Sequence, residues 1–227
     1  MSGARTYDLT SGERQTGTTL EAIRADHRLR YDLAAEQIAA DKRFHEDWFG
    51  MDVFCGNGYG SYLLAGKTNI CMMGIDASRE AILVADSHYS TERTFFVCKE
   101  FPFRLPSNRA DIVVSFESLE HVNDYAGFLD TLVDSLKSGG LLFLSTPNEK
   151  ILSNRKNPNR FHFRHFTQSQ VMDEVRMKRG LALENWYGQN VYHLNSAGRI
   201  SGCLPEHQMK IEAETPGQFE IYVFRKP

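Results

Sequence analysis

The sequence predicts an α/β fold with a mostly parallel sheet, and three observations carry that reading. Short apolar runs alternate with stretches of helical spacing between residues 49 and 144. Such alternation marks βαβ units, whose crossover helices cover the faces of a parallel sheet. The first apolar run ends in a glycine-rich turn, Cys55-Gly56-Asn57-Gly58-Tyr59-Gly60. The second ends in an acid, Asp76, 24 residues after Asp52. With 227 residues, 41% of them hydrophobic, the chain can bury a sizeable core without staples.

Each element follows from its own pattern. Residues 1–20 are polar and rich in Gly, Thr and Ser, and read as an arm. Ile23, Leu29, Leu33, Ala34 and Ile38 recur at roughly helical spacing and predict a helix ending near Ala40. The run from Phe49 to Cys55 is a first strand, feeding the glycine turn and a helix over Ser61 to Ala65. Ile70 to Ile75 is a second strand, and Ser78 an N-cap for a helix through about His88. Phe95 to Cys98 and Ile112 to Phe116 are the third and fourth strands, the latter apolar enough to be covered on both faces. Phe128, Leu129, Leu132, Val133 and Leu136 predict a helix that stops at Ser138-Gly139-Gly140. Leu141 to Leu144 is the fifth strand. Beyond Pro147 the pattern loosens: Thr167 caps a helix to about Lys178, Leu181 to Trp186 and Phe219 to Phe224 are two more strands, and 188–217 reads as a long connection.

Composition narrows the function. The formal net charge is −3, which gives no global electrostatic reason to coat nucleic acid or anionic membrane, although a local basic patch stays open. No stretch approaches the roughly 18 consecutive apolar residues that a membrane span needs. No apolar segment follows the first residues, so a cytoplasmic location is expected. The four cysteines form no C-x-x-C pair and read as reduced thiols rather than zinc ligands.

The glycine turn and the spaced acid point to a ligand. Glycines permit positive φ and close backbone approach, and the start of the next helix offers unpaired N–H groups. An acid closing the second strand stands where a carboxylate accepts hydrogen bonds from a ribose diol. Together they predict an adenosine-type ligand. A dinucleotide site would read G-x-G-x-x-G. Here the spacing is G-x-G-x-G, with Asp52 four residues ahead of the first glycine, which suits an ammonium group better than a phosphate. S-adenosylmethionine (SAM) carries an ammonium, a carboxylate, a ribose and an adenine.

Four segments, Asp52 to Ala65, Met73-Gly74-Ile75-Asp76, Ser115 to Val122 and Gly139 to Asn148, together resemble class I SAM-dependent methyltransferases, nearest to the type 11/12, ubiquinone O-methyltransferase-like group. The resemblance covers about residues 10–190 and includes the Glu13-Arg14 arm, the His27…Arg30-Tyr31 helix and Asn157-Pro158…Phe161-His162. It implies a Rossmann-like seven-stranded sheet of order 3-2-1-4-5-7-6 with strand 7 antiparallel. It also implies one domain over 1–227: an arm and helical lid (1–46), a SAM-binding core (47–148) and an acceptor side (149–227). By resemblance, Asp52 and Gly56 hold the methionine end, with Cys55, Gly58 and Tyr59 completing the turn. Asp76 takes the ribose hydroxyls with Ala77 beside them, Glu100 and Phe101 lie near the adenine, and Phe116 and Glu117 face the sulfonium. One departure stands out: Phe54 occupies a position where relatives usually carry glycine, and its ring is expected to crowd the loop or move the methionine carboxylate.

For the chemistry, an oxygen or nitrogen acceptor calls for a base, and Glu117, Glu120 and His121 share one helical face at i, i+3 and i+4. Three readings stay open. They form a catalytic group; or Glu120 braces the helix and His121 packs on the sheet; or Glu117, Glu120 and His121 hold a divalent metal with His162 or His165. The metal version resembles small-RNA 3′-end 2′-O-methyltransferases, which also carry Thr-Pro-Asn after the fifth strand and a later His. Residues 154–166 interleave Arg155, Lys156, Arg160 and Arg164 with Phe161, Phe163 and Phe166, which suits a phosphate and a stacked base, or else a surface loop folded over the sheet. His27 and Tyr31 are candidates for a lid, and Trp186, Tyr187 and Gln189 for packing. The expected function is SAM-dependent O-methylation of a small molecule or saccharide, possible nucleotide-linked acceptors included. The alternatives are metal-assisted RNA or nucleotide methylation, and an inactive SAM-fold binding protein.

Overall fold

The computed structural model describes residues 15–227. Glu13 and Arg14, part of the expected arm, lie outside the described residues. Five parallel strands come first: β1 (Phe49–Val53), β2 (Cys71–Asp76), β3 (Thr94–Cys98), β4 (Ala110–Phe116) and β5 (Leu136–Pro147). They are interleaved with α2 (Tyr59–Thr68), α3 (Arg79–His88) and α4 (Tyr125–Ser135), and preceded by α1 (Ala25–Ala40). A short α5 (Gln168–Val171) then leads through a wider turn of π-helix to β6 (Ala182–Gln189). The chain continues as β7 (Tyr192–Leu194), β8 (Ile200–Cys203), β9 (Ile211–Ala213) and β10 (Phe219–Arg225).

The main sheet runs β3-β2-β1-β4-β5-β10-β6-β9, with β10 antiparallel to both β5 and β6. The expected order is therefore present, with an eighth strand added: β9 pairs antiparallel with β6 through Tyr187 to Gln189. The stretch expected as a plain connection also holds the β7–β8 hairpin. Strands of three or four residues broken by Gly and Pro are too short to display a period of two.

Both faces of the sheet are covered, which explains why every residue of β4 is buried. On one face α4 packs Phe128, Leu129 and Leu132 against Val113, Leu142 and Leu144. On the other, Tyr31, Ala34 and Ile38 of α1 and Leu64 of α2 meet Ile112, Val114 and Phe143. Each fully buried side chain of this size contributes roughly 1.5–3 kcal/mol. Close packing of α1 on α2 requires Gly60, because a Cβ there would fall 2.0 Å from the Tyr31 ring.

The helix starts follow their capping residues. Ser78 Oγ accepts from Ala81 N at 3.2 Å and Asp124 Oδ1 from Gly127 N at 3.0 Å. Thr167 and Gln170 form a reciprocal capping box. Two boundaries differ from expectation. Helix α4 stops at Ser135, ahead of the glycine pair, and Gly139, with φ of 82°, sits in an irregular early part of β5. Helix α5 keeps α-geometry for one turn before widening.

Candidate active site

At the carboxyl ends of β1, β2 and β4 the chain encloses a cavity of about 470 Å³. That size is typical of a cofactor site, and its place is where open α/β sheets bind ligands. Of the expected cofactor residues, Cys55, Gly56, Tyr59, Asp76, Ala77, Glu100, Phe101 and Phe116 line it. Asp76 is fixed from the loop side: Oδ2 accepts from Gly56 N at 3.0 Å and Oδ1 from Ser78 N at 2.8 Å. A carboxylate can accept several hydrogen bonds at once, which suits Asp76 to a diol.

Asp52 and Gly58 are placed behind the cavity rather than in its wall. Asp52 is wholly buried and accepts from Tyr31 Oη at 3.2 Å and Ser61 Oγ at 2.8 Å. Burial raises its carboxyl to about 7 against those two bonds. Its influence on the cavity thus runs through Tyr31, which lines the wall and meets Phe116 edge-on at 5.0 Å. Gly58, with φ of 88°, faces Ala85 and Phe96, where a Cβ would fall 2.7 Å from either. Phe54 adopts the left-handed conformation, φ 67°, that a glycine would take there. Its ring lines the cavity and packs on Phe128, 5.1 Å between centroids.

Glu117 and His121 line the same cavity, and Glu120 is buried beneath it. The three do not share one regular helical face: Glu117 sits in a strained turn, φ 49°, and only Leu119–His121 form a short 3-10 turn. Glu117 Oε1 accepts from Ser145 Oγ at 2.7 Å and stands 3.8 Å from Arg30 Nη1. Burial raises its carboxyl, with Arg30 and Ser145 pulling the other way. Glu120 is raised well above the carboxylate range by burial and then by Glu117, and its Oε1 has no hydrogen-bond partner among the described residues.

Beyond them lies a histidine chain. His165 Nδ1 is 2.6 Å from the carbonyl of Leu152, which can only accept, so the proton is on Nδ1. His165 Nε2 must then accept from His162 Nδ1, 2.7 Å away, so His162 Nε2 is an acceptor and takes the Asn159 Nδ2 amide at 3.1 Å. Burial, with His121 and His165 adding to it, lowers His162 to about 3, consistent with a neutral ring. His162 meets His121 edge-on at 4.6 Å, and ligand atoms of Glu120, His121 and His162 lie within 4.8 Å of one another. Glu117 is outside this triad, its carboxylate engaged by Ser145, and His165 stands behind His162.

Sequence reasoning gave Arg30 no role in the site and Gln189 only packing. Arg30 is 1% exposed, donates from Nε to Gln189 Oε1 at 2.9 Å and lies 4.8 Å over the Phe219 ring. Its Nη2, 3.8 Å from Asp26, has no hydrogen-bond partner among the described residues. Gln189 therefore positions a buried cation rather than merely packing, and it also donates to the Asp26 and Met209 carbonyls. The available signal was an Arg inside the apolar stripe of α1. His27, also in the cavity wall, is held neutral by burial, its value lowered to about 3. The arm closes onto the loop at Gly17, whose carbonyl accepts from Asn57 Nδ2 at 2.6 Å and Tyr89 Oη at 2.9 Å. In the basic-aromatic segment, Phe166 is buried in the core and Phe161 carries Arg160 at 4.5 Å, which leaves Phe163 as the exposed ring.

A Rossmann-like sheet, a glycine turn tied to an aspartate and an acidic cavity at the strand ends define the class I methyltransferase architecture. The methyltransferase domain family matches residues 26–200, and the chain belongs to that family. It is 31% identical over 150 residues to the Mycolicibacterium smegmatis protein named "Probable S-adenosylmethionine-dependent methyltransferase", covering 63% of this chain and 56% of that one. It is 33% identical over 108 residues to the ubiquinone biosynthesis O-methyltransferase of Burkholderia vietnamiensis, covering 45% and 46%. The chain thus spans about half the length of these curated relatives. Among solved structures, the Haloferax volcanii chain in complex with the methyltransferase activator Trm112 superposes with a TM-score of 0.65 at 17% identity, covering 89% and 91%. No helix among the described residues is long and apolar enough to cross a membrane.

Proposed function

We propose that this chain, acting as one cytoplasmic domain, transfers the methyl group of SAM to a hydroxyl of a small molecule or saccharide. The observation that carries the reading is Glu117. It is a carboxylate held by Ser145 and faced by Arg30, at the end of β4 in the same cavity as Asp76. The charges of the wall suit the cofactor: Asp76, Glu100, Glu117 and Asp124 face one guanidinium, Arg30, among the described lining residues. Two cationic centres and one carboxylate match that set, whereas a pyrophosphate would be repelled. Asp76 takes the ribose diol, and Arg30 Nη2 takes the methionine carboxylate. SAM supplies an electrophilic methyl on a sulfonium. Glu117 removes the hydroxyl proton as the C–O bond forms and the C–S bond breaks, and burial brings its basicity closer to neutrality. His121 borders the acceptor end and orients the hydroxyl. The O-methyltransferases among the relatives support an oxygen acceptor. Calorimetry with S-adenosylhomocysteine tests the cofactor half; the absence of binding at millimolar concentration overturns the reading.

Glu120 favours a second reading, in which a divalent cation binds Glu120, His121 and His162. Its buried, unpartnered oxygen lies beside two imidazoles, one of which, His162, has its tautomer set by His165. A bound cation would polarise the acceptor oxygen. Metal analysis and thermal shift with Mn²⁺ test this. Binding abolished by Glu120→Gln supports it, and an unchanged melting temperature at millimolar Mn²⁺ removes it.

A further inference from the structure

A second pocket, of about 550 Å³, lies between the segment after β5 and the β7–β8 hairpin. We propose that it is the subsite for the phosphate of a phosphorylated small-molecule acceptor, an inference that rests on the methyl-transfer reading above. Its charge is opposite to that of the cofactor cavity. Lys156, Arg160 and Arg199 line it beside His162, and no carboxylate is among its described lining residues. Two guanidiniums and an ammonium match a phosphate dianion, the guanidiniums through paired N–H groups and the ammonium as a point charge. Tyr192 and Phe219, with ring centroids 6.1 Å apart, supply an apolar wall for the organic part.

The pocket is built rather than incidental. Asn157 pins the hairpin to the preceding segment: its Oδ1 accepts from Ile200 N at 2.8 Å and its Nδ2 donates to Gly198 O at 3.0 Å. Gln218 Oε1 fixes the entry to β7 by accepting from Val191 N at 2.9 Å and Tyr192 N at 2.8 Å. Binding there requires little ordering of backbone.

Position links it to the reaction. Two pairs of touching side chains stand between the pockets. His162 lines this one and touches His121, which lines the other. Likewise Phe219 lines this one and carries Arg30, which lines the other. The opposite fields of the two pockets orient an acceptor with one anionic end, its phosphate in the basic pocket, and its hydroxyl reaches Glu117 where the His121–His162 contact opens. The concave shape and the loss of Phe161 and Phe166 as stacking platforms favour a small molecule over an extended strand.

The test measures binding to protein saturated with S-adenosylhomocysteine, by calorimetry, with glucose 6-phosphate, inorganic phosphate, glucose and oligouridylates of two and eight nucleotides as probes. Glucose 6-phosphate and phosphate are expected to bind about tenfold or more tighter than glucose. The combined variant Lys156→Ala/Arg160→Ala/Arg199→Ala is expected to lose that difference while keeping its S-adenosylhomocysteine affinity. Ile200→Trp, which fills the rim without changing charge, is expected to weaken the sugar phosphate more than inorganic phosphate. Equal binding of glucose and glucose 6-phosphate overturns the inference, as does phosphate binding that survives the triple variant. Affinity that climbs with oligouridylate length assigns the patch to nucleic acid and overturns it too. A protein that binds phosphate here but no S-adenosylhomocysteine leaves this pocket standing and removes the methyl-transfer reading instead.

Discussion

The two ends of the sheet build their pockets by different means. Around β1, β2 and β3 the wall is made by backbone: a turn whose Gly56 N–H binds Asp76, an Asp76 that also takes Ser78 N–H, and Gly58 in a conformation other residues rarely adopt. Around β5, β6 and β10 the basic pocket is walled by side chains from segments far apart in the chain, and its Phe219 carries Arg30 of the first cavity, which Gln189 holds. A backbone site depends on local spacing. A side-chain site depends on the whole fold being in place. Glu117 joins the two halves, since its strained turn belongs to the end of β4 and its carboxylate faces Arg30.

Removing that joint has the largest expected effect. Glu117→Gln keeps the size and the Ser145 contact but cannot take a proton, so kcat falls by about 10²–10⁴. S-adenosylhomocysteine affinity stays within about threefold, because the substitution leaves the cofactor contacts in place. In the wild type kcat drops as pH falls through the raised Glu117 value, above the ordinary glutamate range, and that limb is missing in the variant. A variant that instead loses cofactor affinity makes Glu117 part of the cofactor half.

Asp52 tests the cofactor half alone. Its carboxyl is raised by burial to about 7 from 3.8. The folded protein therefore holds a proton that the unfolded chain releases above 3.8, and stability falls as pH rises from about 4 to 7, then levels. At 1.36 kcal/mol per unit the loss is bounded at about 4 kcal/mol. Asp52→Asn removes this slope, so urea midpoints at pH 5 and pH 8 converge in the variant relative to the wild type. Equal slopes in both proteins place the ionised aspartate in a better-solvated setting than the structure gives it.

Asp76→Ala takes away two charge-assisted bonds of about 1.5–3 kcal/mol each, together with the diol contact. Solvent and loop relaxation recover part of this, so the expected loss of S-adenosylhomocysteine affinity is about 100-fold, or 2.7 kcal/mol, read by calorimetry. Glucose 6-phosphate binding in the basic pocket is expected to stay unchanged, which is what two separately built halves require.

The same contrast explains what could be read from residues alone. The order of β1 to β5, the Ser78 and Thr167 caps and the Asp76–turn pair are all local in sequence, and each has a short-range physical cause. Arg30 could not be placed this way, because its value depends on Gln189 and Phe219, more than 150 residues away, arriving beside it. Nor could the tautomer chain of His162 and His165, which is set by one carbonyl at Leu152. Strand β9 escaped because three residues show no periodicity, and its partner β6 recruits it through tertiary pairing.

Phe54 is where a local rule and the assembled fold disagree, and its replacement has the smallest expected effect. A phenylalanine at φ 67° costs roughly 1–3 kcal/mol, which glycine would recover. Against that, glycine loosens the unfolded chain at a cost of about 0.5–1 kcal/mol. It also forfeits the contact with Phe128, worth about 0.5–1.5 kcal/mol beyond its buried area. The lost burial of the ring against the core adds up to about 1.5–3 kcal/mol, so Phe54→Gly is expected to destabilise by about 1–2 kcal/mol, measured by urea denaturation. The ring is held against Phe128, so S-adenosylhomocysteine affinity is expected to change by less than about threefold. A tenfold gain in affinity would show instead that the ring crowds the methionine end, and the backbone-built half would then owe part of its shape to a side chain.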